Sequence, residues 1–402
     1  MLIPIGEVAT PGRRIDMLVA TIRSSDGAQP GQMFTGERNG ELAFADIAVS
    51  VPPDSVRQIG EVQWPKTAPG NPATDFVTLK TDRINAQEAM ARFHKRVAAT
   101  PKRRALVFVH GYNTRFEDAV YRFAQIVHDS EAPVTGVLYT WPSRGKLLAY
   151  TYDRESANYS RDALEKILQA MAKDPSVGEI AILAHSMGNW VTLEALRQMV
   201  IRDKTLPRKL QNVMLAAPDV DIDVFRQQLA SIDAATYKPP ITMFVSQDDK
   251  ALAVSNKLWG GTARAGAVDP KLEPYKTQFA KAHLNVIDLT DVHDGGRSGH
   301  GKFAESPEVV QMIGRRLASG QSLGENRSGL GDQISGVAMG AAGIVGSAAG
   351  FVASAPIAIV DKSTRDSLGD RMEEMSNGAS DLVRLPTSNP RARKAEHAHE
   401  AE

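Results

Sequence analysis

Cysteine is absent from the 402-residue sequence, and its absence excludes several kinds of chemistry. The chain can form no disulfide bond, and it has no cysteine nucleophile and no thiolate metal site. A surplus of charge is absent too, because 47 basic residues balance 47 acidic ones. A chain without net charge has no general attraction to nucleic acid or to an anionic membrane, so we expect no nucleic-acid partner.

A secretory signal is also lacking at the start of the sequence. The stretch before Glu7 is short and mostly apolar, and it has neither a basic leader nor an apolar segment of secretory length. Together with the lack of cysteine, this favours a cytoplasmic location. A Gly/Ala-rich stretch near the C-terminus leaves membrane association open.

Residues 1–100 contain short β-like runs separated by turn-rich segments. The runs are 16–23, 42–51 and 75–80, and an irregular alternation within 42–51 suggests a strand with a bulge. The stretches between these runs show no helical period. We therefore predict antiparallel strands added at one edge of a larger sheet.

From residue 104 onward, continuous apolar runs alternate with segments of helical period. The runs cover residues 105–111, 134–141, 180–186, 212–219, 241–249 and 284–291. The clearest helices cover residues 119–128, 160–173, 189–203 and 306–317. Continuous apolarity indicates strands covered on both faces, so the sequence predicts a mostly parallel central sheet with helices on both sides. Ligands of such a sheet bind beyond the carboxyl ends of its strands.

The chain changes character near residue 319. We predict a domain over 1–318, with a catalytic core over 101–318, followed by a separate segment over 319–402. Within that segment, residues 334–360 carry no charge and are rich in Gly and Ala. Their length reaches that of a membrane span, but Gly and Ala provide little transfer energy, so weak membrane contact is the most that they predict.

Ser186 lies in the motif Ala184-His185-Ser186-Met187-Gly188, between a buried strand and an amphipathic helix. This strand, turn and helix match the nucleophile elbow G-x-S-x-G, with alanine in place of the first glycine. The small flanking residues permit the sharp turn that exposes a serine hydroxyl. A helix N-cap is the alternative role for this serine.

His110 and Gly111 follow the first long buried strand, where a hydrolase of this kind places part of its oxyanion hole. The backbone N–H groups of Tyr112 and Met187 are the expected pair of donors. A plain turn at residues 110–111 is the alternative, and the elbow later in the chain favours the functional interpretation.

The chain order Ser, Asp, His then requires an acid after a later strand and a histidine after the next one. Asp249 is our choice of acid, with Asp248 beside it and Asp219 after the preceding strand as alternatives. Two histidines occupy the glycine-rich loop after the last strand. We favour His300 over His293 because glycine neighbours permit close backbone approach and the final helix follows at a suitable distance.

Six motifs of the chain resemble those of the α/β-hydrolase superfamily, and within it a branch of bacterial hydrolases of unassigned substrate. They are HGYNTRFEDA (110–119), YTWPSRG (139–145), AHSMGN (184–189), AAPDVD (216–221), SQDDKAL (246–252) and GHGKF (299–303). The resemblance implies esterase or lipase-like chemistry, with Ser186 as nucleophile, His300 as general base and acid, and Asp249 as its orienting partner. The family pattern has a single aspartate here, so the additional aspartate Asp248, directly before Asp249, departs from it.

The sequence therefore predicts a serine hydrolase that cleaves carboxylic esters through an acyl-enzyme, with lipid or medium-chain acyl esters as candidate substrates. Thioesterase or amidase activity on the same residues is one alternative, and a non-catalytic binding or membrane-associated protein is another. No metal or organic cofactor is required. Five apolar residues near the expected active face either line an acyl cleft or pack the loops together. They are Tyr112, Phe116, Trp141, Phe225 and Leu252.

Overall fold

A computed structural model describes residues 2–6, 10–28, 31–258, 261–292 and 298–319. His293 and the stretch 334–360 lie outside these residues, so the structure does not test the role predicted for either. The predicted segment 319–402 lies outside them as well, except for its first residue, Ser319, which ends the last described helix.

Among the described residues, nine strands form one sheet, and their order explains the apolar runs of the sequence. The strands are β1 (Arg13–Arg23), β2 (Arg38–Val51), β3 (Val77–Ile84), β4 (Arg104–Val109), β5 (Thr135–Thr140), β6 (Glu179–His185), β7 (Leu210–Ala216), β8 (Ile241–Val245) and β9 (Asn285–Asp288). Their order across the sheet is β3-β2-β1-β5-β4-β6-β7-β8-β9. All pairs from β1–β5 to β8–β9 are parallel.

Helices cover both faces of this sheet. They are α1 (Ala86–Ala98), α2 (Phe116–Ser130), α3 (Tyr150–Lys173), α4 (Gly188–Asp203), α5 (Ile222–Asp233), α6 (Lys250–Leu258), α7 (Tyr275–Lys281), α8 (Lys302–Glu305) and α9 (Pro307–Ser319). Val107 of β4 packs into the core cluster that contains residues of α1, α3, α4 and α5. Its neighbour Phe108 packs into the opposite cluster with residues of α2 and α9. Each central strand is therefore apolar on both sides, which confirms the predicted fold class.

The N-terminal strands form an edge of the same sheet, as the sequence predicted. β2 pairs antiparallel with β1 and β3, and β1 joins the parallel core through β5. The predicted bulge is displaced: β2 keeps a continuous register with β1 from Ala43 to Val51, and the shift occurs against β3 between Ala48 and Val49. The irregular alternation instead reflects burial of both faces there, with Asp46 paired to Lys80 and two arginines of α1, Arg92 and Arg96.

A buried ion pair ties the loop after β2 to the end of α2. Both guanidinium nitrogens of Arg57 donate to Asp129, at 2.5 and 3.0 Å, and both side chains are fully buried. The N–H of Gly60 and the side chain of Gln125 also donate to Asp129. His128 joins this cluster and is buried.

Candidate active site

Ser186 sits at the turn between β6 and α4 in a strained backbone conformation. Its φ is +54°, in the left-handed region that non-glycine residues rarely adopt. Its N–H donates to the carbonyl of Ala216 on the neighbouring strand at 2.9 Å. Met187 occupies the N-cap position of α4, and that helix has no side-chain cap. The alternative role of Ser186 as a helix N-cap is therefore not what the structure shows.

Gly188 lets α4 approach the end of β4. A Cβ atom at this position would lie 2.4 Å from the His110 carbonyl oxygen and 2.6 Å from that of Val109. Ala184, which replaces the first glycine of the motif, is fully buried in β6. The turn therefore tolerates alanine at its strand end but depends on glycine at its helix end.

Asp249 and His300 meet beyond the end of β8. Nδ1 of His300 lies 2.7 Å from Oδ2 of Asp249, and the N–H of Leu252 donates to the other carboxylate oxygen at 3.0 Å. The Asp249 side chain is fully buried, while that of His300 is 18% exposed. Among the described residues, neither Nε2 of His300 nor the Ser186 hydroxyl has a hydrogen-bond partner. Contacts of this kind are often long before a substrate binds.

The surroundings of His300 favour its protonated form. Burial lowers its pKa, but the charge of Asp249 and the hydrogen bond to it raise the pKa, so the net shift is upward from the ordinary value of 6.5. The carboxylates of Asp219 and Glu305 add smaller contributions in the same direction. These carboxylates therefore stabilise the imidazolium form of His300.

The two alternative acids have other partners. Asp248 accepts two hydrogen bonds from the ammonium of Lys302, at 2.8 and 2.9 Å. Asp219 accepts from the hydroxyls of Ser255 and Tyr150, at 2.7 and 3.3 Å. Among the three candidate acids, the hydrogen bond to His300 belongs to Asp249.

The loop after β4 lies against the serine turn. A Cβ atom on Gly111 would lie 2.8 Å from Cβ of Ser186, so the Gly111 backbone packs closely against the Ser186 side chain. In the described part of the chain, the N–H groups of Tyr112 and Met187 donate to no protein acceptor. The loop is held by His110, whose carbonyl accepts from the indole N–H of Trp141 at 2.8 Å.

Sequence reasoning missed a buried arginine beneath this loop. Arg23, at the end of β1, donates to the Thr140 hydroxyl and to the carbonyls of Thr114 and Ser143, at 2.8, 2.9 and 2.7 Å. Burial lowers its pKa to about 10. Burial, followed by the nearby Arg23 charge, also lowers the pKa of His110 to about 3, so that imidazole is neutral. A lone arginine closing an apolar run was the available signal.

Sequence reasoning also missed His185, which directly precedes Ser186 in the chain. Its ring lies 4.6 Å from the ring of His300 and 4.7 Å from that of Phe303, measured between centroids. Its Nε2 lies 3.2 Å from the His300 carbonyl oxygen. Burial, followed by the charge of His300, lowers its pKa well below the usual value, so neutral His185 donates to that carbonyl.

Five apolar residues were expected either to line an acyl cleft or to pack the loops together, and three of them pack into the core. Phe116, Trp141 and Phe225 are core residues, because they are almost fully buried. Leu252 lines a cleft of about 340 Å³ that also borders Asp249. The hydroxyl of Tyr112 donates to the Leu147 carbonyl, in a single helical turn over Leu147–Ala149.

The described residues show neither a metal-binding cluster nor a membrane-spanning helix. No group of three or more His, Asp or Glu side chains there is arranged to hold a metal ion. No helix there combines the length and apolarity needed to cross a bilayer.

Comparison with known proteins places the chain in a family. Residues 85–316 match the family model described as "Alpha/beta hydrolase of unknown function (DUF900)". The chain belongs to this family. The membership confirms the superfamily predicted from the motifs, and the matched region begins just after β3.

Two individual proteins are similar over smaller regions. The "Uncharacterized protein alr1448" of Nostoc sp. is 25% identical over 153 residues, which are 32% of this chain and 40% of that protein. The chain thus spans less than half of that relative's length. A solved "Lipase-esterase related protein" from Clostridium acetobutylicum covers 55% of this chain and 96% of its own, with 11% identity and a TM-score of 0.31.

Proposed function

We propose that this α/β hydrolase is a serine esterase that cleaves carboxylic esters through an acyl-enzyme. The observation that carries the proposal is the hydrogen bond between Nδ1 of His300 and the buried carboxylate of Asp249. That bond selects the tautomer in which Nε2 is free to accept a proton. In catalysis, His300 takes the proton of Ser186 as the serine oxygen attacks the acyl carbon, and Asp249 stabilises the resulting imidazolium.

The oxyanion formed in this step needs donors that are already in place. The backbone N–H groups of Tyr112 and Met187 fill this role in the proposal. Met187 directly follows Ser186, Tyr112 follows Gly111, which packs against Ser186, and neither N–H donates to another group among the described residues. Each donor contributes roughly 3 kcal/mol of transition-state stabilisation in such sites. The imidazolium then protonates the leaving alcohol, and water, deprotonated by His300, releases the acid and restores the serine.

The exposed side chains around the loop favour an apolar acyl group. Leu148 is 83% exposed, in the same turn whose Leu147 carbonyl accepts from Tyr112. Leu147 itself is 37% exposed, so two adjacent leucines beside the candidate oxyanion loop offer apolar surface to a substrate chain. We therefore propose medium-chain or lipid esters as the substrate class. We also keep the weak membrane contact through residues 334–360 as a proposal.

The first experiment is labelling with a fluorophosphonate probe and hydrolysis of nitrophenyl esters. We expect wild type to be labelled and active, and Ser186→Ala to lose the label and to lower kcat by on the order of 10⁴-fold or more. Ser231→Ala, a substitution in α5, is the control and should behave as wild type. Undiminished labelling of Ser186→Ala would exclude the mechanism.

A substrate panel then separates esterase activity from its alternatives. Nitrophenyl esters, acyl-CoA thioesters and anilides of graded chain length report ester, thioester and amide cleavage. We expect the highest kcat/KM with esters of medium chain length. A higher kcat/KM with thioesters or anilides would instead indicate that the same residues act in a thioesterase or an amidase.

A further inference from the structure

Lys302 is a buried cation with an unusually complete set of acceptors. Its side chain is 4% exposed, and its ammonium donates to both carboxylate oxygens of Asp248. It also donates to the Ser246 hydroxyl at 3.1 Å and to the carbonyls of Leu289 and Thr290, at 2.9 and 2.8 Å. A buried ammonium is tolerated only with such compensation, so this arrangement strongly restricts where Lys302 can lie.

The partners of Lys302 connect the loops that carry the two hydrogen-bonded residues of the candidate active site. Lys302 comes two residues after His300 in the chain, and Asp248 comes directly before Asp249. The Asp248–Lys302 ion pair and the Asp249–His300 hydrogen bond therefore join the same two chain segments.

Backbone contacts between the same loops support this connection. The N–H of Lys250 donates to the carbonyl of Ser298 at 2.9 Å. Gly299 has a φ of +72°, and a Cβ atom on it would lie 3.3 Å from the Asp248 carbonyl oxygen. The two loops thus touch on both sides of the Asp249–His300 contact.

We propose that Asp248 and Lys302 form a cross-loop clamp that sets the distance between Asp249 and His300. Both are positioning residues, since they act through that pair, and the inference rests on the proposed function. It also gives a role to Asp248, the extra aspartate of the SQDDKAL motif. In this view, Asp249 orients the imidazole of His300, and Asp248 anchors the loop of His300 through Lys302.

The expected consequence of opening the clamp is a longer Asp249–His300 hydrogen bond. Three carboxylates, those of Asp249, Asp219 and Glu305, raise the pKa of His300, and neutral His185 packs against its ring. Weakening the Asp249 contact removes the largest of the raising influences. The pH midpoint of kcat/KM on its acid side should then move to lower pH.

Asp248→Asn is the principal variant, because the side chain is half-exposed and the fold should accept the amide. We expect kcat to fall roughly 10- to 100-fold with little change in KM, as for a misplaced catalytic group. Asp248→Glu keeps the carboxylate and should restore most of the activity. Glu179→Gln is the matched control, because it removes the ion pair with buried Arg104 where β4 and β6 begin.

Direct charge effects are separated from positioning by a double variant. Asp248→Asn alone removes a negative charge near His300, which by itself lowers the imidazole pKa. Asp248→Asn with Lys302→Met removes one charge of each sign and leaves the net charge unchanged. A downward shift of the midpoint in the double variant therefore reports a loosened Asp249–His300 contact.

A readout independent of substrate completes the test. In protein labelled with ¹⁵N-histidine, the Nδ1 proton of His300, assigned by its loss in His300→Gln, should resonate at low field. It should move upfield or broaden in Asp248→Asn and not in Glu179→Gln. Unchanged kcat and an unchanged Nδ1 proton in Asp248→Asn would overturn the clamp. An inactive, unlabelled wild type would overturn the esterase proposal, while the Nδ1 proton would still show whether the clamp positions His300.

Discussion

At the scale of single residues, the candidate site combines one strained residue with one restrained pair. The left-handed backbone of Ser186 is held by the hydrogen bond from its N–H to Ala216. Nδ1 of His300 is held by Asp249, and the His300 carbonyl accepts a hydrogen bond from Nε2 of His185. The orientation of the His300 ring is therefore restricted, while its Nε2, the atom that the proposed chemistry uses, bonds to none of the described residues.

The raised pKa of His300 predicts the pH dependence of activity. Only the neutral imidazole can accept the serine proton, so kcat/KM should rise with pH through a midpoint above the ordinary histidine value of 6.5. Asp249→Asn removes the main raising influence and the orienting carboxylate. We expect its midpoint to move to lower pH and its kcat to fall about 10⁴-fold.

The measurement is a pH profile of ester hydrolysis for wild type, Asp249→Asn and Asp162→Asn. Asp162 lies on α3 and is exposed, so its variant should keep the wild-type profile. A wild-type midpoint below 6.5, or an Asp249→Asn profile equal to that of wild type, would contradict the assigned role of Asp249.

At the scale of elements, the elbow depends on how closely α4 approaches β4. The glycine that permits this approach comes directly after Met187, one of the two proposed oxyanion donors. The carbonyls that it faces belong to Val109 and His110, just before the loop that carries the other donor, Tyr112. Helix packing and the positions of both donors are thus coupled through a single missing side chain.

Substitutions at the two ends of the turn should therefore differ in effect. Gly188→Ala places a methyl group against two backbone carbonyls, so we expect a loss of about 1–3 kcal/mol in the free energy of unfolding and a loss of activity. Ala184→Gly adds backbone freedom to β6 and removes one buried methyl group. It should cost about 1–2 kcal/mol and preserve activity.

Urea unfolding and ester hydrolysis of both variants provide the check. Equal stability and activity of Gly188→Ala and wild type would show that α4 has room to move away from β4. The proposed coupling between helix packing and the oxyanion donors would then be wrong.

At the scale of the whole molecule, the N-terminal strands support the core that carries the site. β1 pairs with β5 and supplies Arg23, which binds the loops after β4 and β5. The family match begins at residue 85, so this support comes from outside the matched region. The buried pair of Arg57 and Asp129 fastens the same N-terminal part to α2.

Breaking that pair should destabilise the protein in a pH-dependent way. Asp129→Asn removes the buried partner of Arg57 and leaves it a 3.4 Å contact to the largely exposed Asp54, so we expect a loss of about 3–5 kcal/mol at neutral pH. Burial raises the pKa of Asp129, but hydrogen bonds from His128 and Arg57 lower it by more, so the net shift of the pKa is downward. This contribution is present above the unfolded pKa of roughly 4 and is lost as pH falls through the depressed folded value.

Urea unfolding at several pH values measures this effect. The stability difference between wild type and Asp129→Asn should shrink as pH falls below about 4, the unfolded pKa. Asp16→Asn, which breaks a partly exposed pair with Arg14, should cost at most about 1 kcal/mol. A small, pH-independent effect of Asp129→Asn would show that Arg57 finds other partners.

Local patterns in the sequence predicted the strands, the four main core helices and the serine turn. Continuous apolar runs reveal strands covered on both faces, and small residues around Ser186 reveal a turn between strand and helix. Patterns of this kind arise from backbone geometry, which nearby residues control. Hence Asp249 and His300 could be placed after particular strands, although the contact between them could not be derived.

Long-range contacts were decided only by the tertiary structure. In the structure Asp249 contacts His300, whereas Asp248 is paired with Lys302. Phe116, Trp141 and Phe225 are buried in the core. The tertiary structure also brought Arg23 of an edge strand beneath the loop after β4. The sequence by itself determined which elements form and where each loop begins, because those depend on neighbours along the chain. Which side chains meet depends on strand order and packing, and these bring together residues that are far apart in the chain.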